Sequence, residues 1–177
     1  PAPAPHLLAA RHSRAVAQPQ MLLSRRSSGR RILNYDALLE HAHARGLRLR
    51  VVDWSGLPYA TQVALPRQFD IYVGVMGSSM FNAIYLRPGG SVAIMMLSCG
   101  CTDHSSWYNL LANGLPGTLL QYRGRDPQKA SNKCDSRTRA SMCSMERSVR
   151  VPVGCFSRLV DEALRLWRAP VAGGQGR

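Results

Sequence analysis

The sequence predicts an α/β domain: a doubly wound, mostly parallel, Rossmann-like sheet. Three observations predict it. Short apolar runs recur along the chain, and each is followed by a segment with helical spacing. The intervals match βα units, and such alternation calls for a parallel sheet covered on both faces. Hydrophobic residues make up 45% of the 177, so a sizeable core can be buried, and right-handed crossovers then favour the doubly wound arrangement.

Residues 1–19 are rich in Pro, Ala and Arg without a sustained period, and read as a linker or disordered arm. The domain is expected over 20–169. "QMLLS" (Gln20–Ser24) is a short apolar strand delivering the basic turn "RRSSGRR". In "NYDALLEHAHARG", Asn34 can cap a helix with Asp36 in its first turn. Leu38, Leu39 and Ala42 give that helix an apolar face, and Gly46 supplies a left-handed stop. "LRLRVVDW" alternates apolar and basic residues and then turns apolar, as a second strand would. A short helix follows Pro58 through "YATQVALPRQ". "DIYVGV" is the third strand, "SSMFNAIYL" a helix of about two turns, and "GGSVAIMML" the fourth strand. "HSSWYNLLANG" reads as a helix ending at Gly114, and "GTLLQY" as a fifth strand. A polar, Cys-bearing segment from Arg123 to Arg150 precedes an amphipathic helix, "PVGCFSRLVDEALRLWR". Residues 170–177 read as a flexible tail. There is no internal repeat, and no apolar run approaches the length of a transmembrane helix.

The formal net charge is +13, and lysine occurs only at Lys129 and Lys133, so the excess is almost all arginine. Arginine suits bidentate binding of phosphate and carboxylate, and an excess of this size points to anionic partners such as a nucleotide, nucleic acid, acidic glycan or membrane surface. A solvated basic surface is the alternative for any single arginine. None of Cys99, Cys101, Cys134, Cys143 and Cys155 forms a C-x-x-C pair, and no histidine stands at finger spacing, so no metal site is expected. Cys134 and Cys143 flank a polar loop; a disulfide there would suit a secretory lumen, and reduced cysteines a cytosolic domain.

In an open parallel sheet, ligands bind beyond the carboxyl ends of the strands. Two loops fit. "GVMGSSMFN" follows the third strand: Gly74 and Gly77 permit a sharp turn, Ser78 or Ser79 can cap the next helix, and that helix's first N–H groups can donate to an anion. It matches neither the P-loop nor G-x-G-x-x-G, and an ordinary strand-to-helix turn has the same pattern. "SRRSSGRR" follows the first strand and crowds Arg25, Arg26, Arg30 and Arg31 into seven positions, which repel one another unless solvated or paired with an anion.

These residues carry a resemblance. Ser24-Arg25, Arg30-Arg31-Ile32-Leu33-Asn34, Gln62, the loop Val73–Asn82 and Leu86-Arg87-Pro88-Gly89 are similar, in order and spacing, to the nucleotide-sugar domain of family 61 glycosyltransferases. That family includes EGF-domain O-GlcNAc transferases and plant β-xylosyltransferases. The similarity runs from about Met21 to Trp167. It implies the C-terminal half of a GT-B fold that binds a UDP-sugar without a metal or other cofactor and transfers the sugar, with inversion, to a protein or glycan acceptor. On the carry-over, Arg25 with Arg30 or Arg31 neutralises the diphosphate, Gly77, Ser78 and Ser79 cradle it, and Asn82 faces the same cleft. It also implies an N-terminal partner domain upstream of Pro1 and a membrane-anchored protein of the Golgi or ER lumen. The family's His falls at Met76, and the Glu that commonly follows the next strand falls near Met95, so no catalytic residue is assigned. The alternative reading is a non-catalytic basic module, a pseudo-glycosyltransferase for a nucleotide, anionic glycan or nucleic acid; few aromatics interleave the basic segments, which disfavours nucleic acid.

The other candidates have structural readings. His41 and His43, two apart on a helix, diverge. His104 beside Asp103 suits a cap or surface role, and Trp107 and Tyr108 suit packing. Asp161 and Glu162 lie on a solvated helix face. Asp53, ending a strand, is a possible ribose contact.

Overall fold

A computed structural model describes residues 18–27, 29–97, 111–123 and 148–169. Five strands form one parallel sheet: β1 (Gln20–Arg25), β2 (Arg48–Asp53), β3 (Ile71–Val75), β4 (Val92–Leu97) and β5 (Thr118–Arg123), in the order β2-β1-β3-β4-β5. Helices α1 (Tyr35–Ala44), α2 (Tyr59–Ala64) and α3 (Val153–Arg168) cover it, with 3-10 segments at Pro66–Gln68 and Ser78–Tyr85. Residues 111–114 are helical. No helix among the described residues is long and apolar enough to cross a membrane.

Successive side chains of a strand point to opposite faces, and here they feed two cores. On one face Met21, Leu23, Ile71, Val73, Ile94 and Met96 pack against Leu38 and Ala42 of α1 and Phe156, Val160 and Ala163 of α3. On the other, Leu22, Tyr72, Ala93 and Met95 pack against Leu65, Met80, Ala83 and Leu111. The central β3 is buried throughout, whereas edge strand β2 exposes Arg48, Arg50 and Val51. Charged residues on an open edge discourage further strand pairing.

The leftward step from β1 to β2 passes over the α1 face and the rightward steps over the opposite face, as a single crossover hand requires. The chain therefore leaves β1 and β3 in opposite directions, and a crevice opens between their carboxyl ends.

Some local expectations are corrected. Asn34 does not cap α1 with its side chain; the carboxamide instead donates to the Val151 carbonyl (2.7 Å) and accepts from the Val151 N–H (3.0 Å). The helix after β3 is 3-10, not α, and neither Ser78 nor Ser79 caps it. The segment tightens at its start, where the Met80 N–H donates to the Gly77 carbonyl three residues back (2.9 Å), and the Ser79 carbonyl also accepts from the Tyr72 hydroxyl. The arm at 1–17, the histidine and aromatics at 104–108, the Cys134–Cys143 loop and the tail at 170–177 lie outside the described residues. Gly46 does stop α1, at φ +73°.

Candidate nucleotide-diphosphate cleft

β1 ends in Ser24 and Arg25, and the loop 25–31 turns back towards α1 beside the start of the 3-10 segment that follows β3. Its second half is pinned from far along the chain. The Arg31 carbonyl accepts from Val149 N–H (2.7 Å), Leu33 N–H donates to Val149 (2.8 Å), and Ile32 and Val149 form a parallel bridge. The first half sits against the ends of β2 and β3, above Gly77.

The space between these elements has two lobes. The smaller, about 280 Å³, is lined by Asp53, Trp54, Ser55, Gln62, Ser78, Ser79 and Asn82 together with Arg25, Arg26 and Ser27. The larger, about 460 Å³, lies towards Tyr35, Leu33 and Val75 and adds Arg30 and Arg31. Arg25, Arg26, Ser27 and Asp53 belong to both, so the basic loop forms their common wall.

Gly77 shows how closely the two loops meet. A Cβ there would stand 2.8 Å from Arg26 Nη1 and 3.3 Å from Arg30 Nη2. Its φ of +157° is also a conformation that L side chains rarely adopt. Burial, and then the charge of Arg26 beside it, hold the Arg30 guanidinium below its usual pKa. Among the described residues, none of Arg25, Arg26, Arg30 and Arg31 has a salt-bridge partner. The Arg25 guanidinium lies over the Tyr35 ring, 5.8 Å from its centroid, a contact that fixes direction without neutralising charge. Unpaired guanidiniums converging on exposed backbone are a ready receptor for an anion with several oxygens.

A buried polar chain supports the floor. Trp54 Nε1 donates to Ser24 Oγ (3.1 Å), the Trp54 ring stacks on Tyr72, and the Tyr72 hydroxyl donates to the Ser79 carbonyl. Burial pushes the Tyr72 hydroxyl above its usual pKa, so it stays protonated as that donor. Among the described residues the Ser79 hydroxyl, in the wall of the smaller lobe, is buried without a hydrogen-bond partner, and such an atom costs free energy until a donor or acceptor arrives. Asn82 is buried in the same wall, and Gln62 is held by its Nε2 bond to the Leu57 carbonyl (2.8 Å).

All the residues predicted for the site therefore surround one cleft: Arg25 in the common wall, Arg30 and Arg31 in the larger lobe, Ser78, Ser79 and Asn82 in the smaller, and Gly77 beneath Arg26 and Arg30. Sequence reasoning passed over Arg26 as a binding residue, although it stands closest to Gly77; its membership of the basic run was the available signal. The Leu86-Arg87-Pro88-Gly89 stretch lies at the opposite, amino-terminal end of the strands, where Arg87 pairs with buried Asp70 (2.7 Å) ahead of β3. Met76 packs against the apolar core of its face and lines neither lobe. Met95 is buried in β4.

A family model described as Glycosyltransferase 61 matches residues 5–93. Every residue named in either lobe falls within that span. A search of curated proteins finds no match.

Proposed function

The chain belongs to glycosyltransferase family 61, and from that premise we propose that the cleft holds the diphosphate of a UDP-sugar while the sugar passes to a protein or glycan acceptor. The observation that carries the proposal is the convergence of Arg26 and Arg30 on Gly77 with no carboxylate partner among the described residues.

When the bond between the anomeric carbon and the diphosphate breaks, negative charge grows on the leaving oxygens. Guanidiniums already fixed in place stabilise that charge without reorganising, a contribution worth several kcal/mol at a preorganised site. The arginine wall takes the charge-neutralising role, so the reading is metal-independent. The orphan Ser79 hydroxyl and the Ser78 and Asn82 side chains supply polar contacts in the smaller lobe. Attack by the acceptor from the face opposite the leaving group gives inversion. Met76 cannot move a proton, so this cleft's contribution is binding and leaving-group stabilisation. We also propose a secretory-lumen location, as the family resemblance implies.

The test is calorimetric titration of the full chain with UDP. Saturable binding is expected, and Arg26→Ala should weaken it by roughly 1.5–3 kcal/mol, the scale of a charged hydrogen bond. A folded sample that shows no binding at millimolar UDP overturns the reading. So does equal affinity for UDP and unrelated polyanions with a steep salt dependence, the behaviour of a non-catalytic basic module.

A further inference from the structure

Tyr59 is the most exposed large apolar side chain among the described residues, with 72% of its surface open. It opens α2, a helix with no buried residue, and its ring takes part in neither core. The ring is nonetheless held. Its hydroxyl lies 3.0 Å from the hydroxyl of Tyr85, in hydrogen-bond contact, and Tyr85 ends the 3-10 segment after β3. An open aromatic ring is thus pinned at its polar tip. A side chain fixed in this way has little freedom left to lose when a ligand arrives.

Two helical rows connect this ring to the smaller lobe. Gln62 stands three residues after Tyr59 on α2, and residues three apart on a helix are surface neighbours. In a 3-10 helix residues three apart eclipse one another, so Ser79, Asn82 and Tyr85 form one row. Gln62, Ser79 and Asn82 all line the smaller lobe, and the tyrosine hydroxyls join the two rows. These rows carry carboxamides, hydroxyls and phenols and no charge, unlike the arginine wall of the same lobe. Neutral donors and acceptors beside an aromatic face match a sugar ring, which carries hydroxyls on its rim and C–H bonds on its faces. We propose that Tyr59 and Tyr85 form a sugar platform: the pyranose ring of the nucleotide sugar stacks on Tyr59, and Gln62 and Asn82 meet its hydroxyls. The proposal rests on the nucleotide reading. Access favours this end of the cleft for the sugar, because the acceptor must reach the anomeric carbon and Tyr59 is open to solvent. Leu33, Tyr35 and Val75 offer the base an apolar wall in the larger lobe.

Calorimetry on the full chain, with UDP, UDP-glucose, UDP-N-acetylglucosamine and UDP-xylose as probes, tests the platform. The wild type should bind at least one of the nucleotide sugars more tightly than UDP. Tyr59→Ala should weaken that nucleotide sugar by about 5-fold or more, the mark of a tyrosine that carries binding energy, and leave UDP affinity unchanged. Tyr59→Phe keeps the ring face and should retain most of the affinity. Because Tyr59 is exposed, thermal unfolding of both variants should stay near wild type. Equal weakening of UDP and the nucleotide sugar in Tyr59→Ala would show that the ring holds the nucleoside, and overturns the proposal. Unchanged nucleotide-sugar binding by Tyr59→Ala would show that the ring holds no part of the donor, and overturns it equally. So does a loss in Tyr59→Phe as deep as in Tyr59→Ala. A wild type that binds UDP but no nucleotide sugar more tightly leaves the nucleotide reading standing and removes the platform. A wild type that binds none of the four probes removes both.

Discussion

Replacing Gly77 by alanine adds one methyl group at the point where the cleft is most tightly built. The Cβ would lie 2.8 Å from Arg26 Nη1 and 3.3 Å from Arg30 Nη2, so at least one guanidinium must withdraw. Both are ends of flexible side chains, and withdrawal itself is cheap; the loss falls on the anion they would hold. Displacing one charged hydrogen bond costs about 1.5–3 kcal/mol, or roughly 10- to 150-fold in affinity at about 1.4 kcal/mol per decade. The backbone adds a second effect, since φ +157° is disfavoured for alanine by about 1–3 kcal/mol, which lowers stability whether or not ligand is present. Calorimetry with UDP and thermal unfolding read the two separately. Gly46→Ala is the control: it shares a positive φ (+73°) but meets nothing within 4 Å. It should lower the melting temperature by several degrees, given about 1–2 kcal/mol of strain and about 2–4 °C per kcal/mol in a chain of this size, and leave affinity intact. Wild-type UDP binding by Gly77→Ala would refute the two-arginine clamp.

Asn34→Ala removes both hydrogen bonds to Val151 and leaves backbone groups there without that partner, so denaturant unfolding should show a loss of about 1–3 kcal/mol, with UDP binding weakened as the basic loop loosens. Gly117→Ala would place a Cβ 1.9 Å from the Ser91 backbone oxygen; because backbone must move, the cost should exceed the roughly 1–3 kcal/mol of ordinary overpacking, and unchanged stability would contradict the close approach of the two chain segments that enter β4 and β5. Phe156→Ala empties a fully buried site on α3 and should cost about 3–5 kcal/mol. Acid dependence follows from Asp53, whose pKa is lowered from 3.8 chiefly by the Ser55 hydrogen bonds and further by Ser27. A depressed carboxylate pKa gives stabilisation that is full above the unfolded value and lost as pH falls through the folded one. The stability that Asp53 lends the turn after β2 through Ser55 should therefore be constant from neutral pH to about 4 and decline below it, and Asp53→Asn should flatten that decline in acid unfolding.

The element order was legible because it is written in local periods. Met21–Leu23, Ile71–Val75 and Val92–Met96 are apolar runs of strand length, and Leu38 with Ala42 and Phe156 with Val160 are one helical turn apart. Gly46 and Pro58 punctuate where backbone geometry demands it. The type of the segment after β3 was not legible: the Ser79 carbonyl is engaged by Tyr72, a partner from the strand before it, and no local propensity records such a bond. The side chain of Asn34 was misread for the same reason. Its cap-like position is local, but its partner Val151 is 117 residues away.

By itself the sequence determined the βα alternation, the two loops that carry the chemistry and the arginine excess, since each depends on residue type and near-neighbour spacing. Only the tertiary structure decided that β1 lies between β2 and β3, which brings the two loops together across one crevice. It also decided that Arg26 stands over Gly77, that residues 148–151 brace the loop, and that Asp53 accepts from Ser55 in the turn after β2. Strand neighbours and side-chain directions are chosen by contacts between distant segments, whose loop-closure entropy is recovered only when both cores form together.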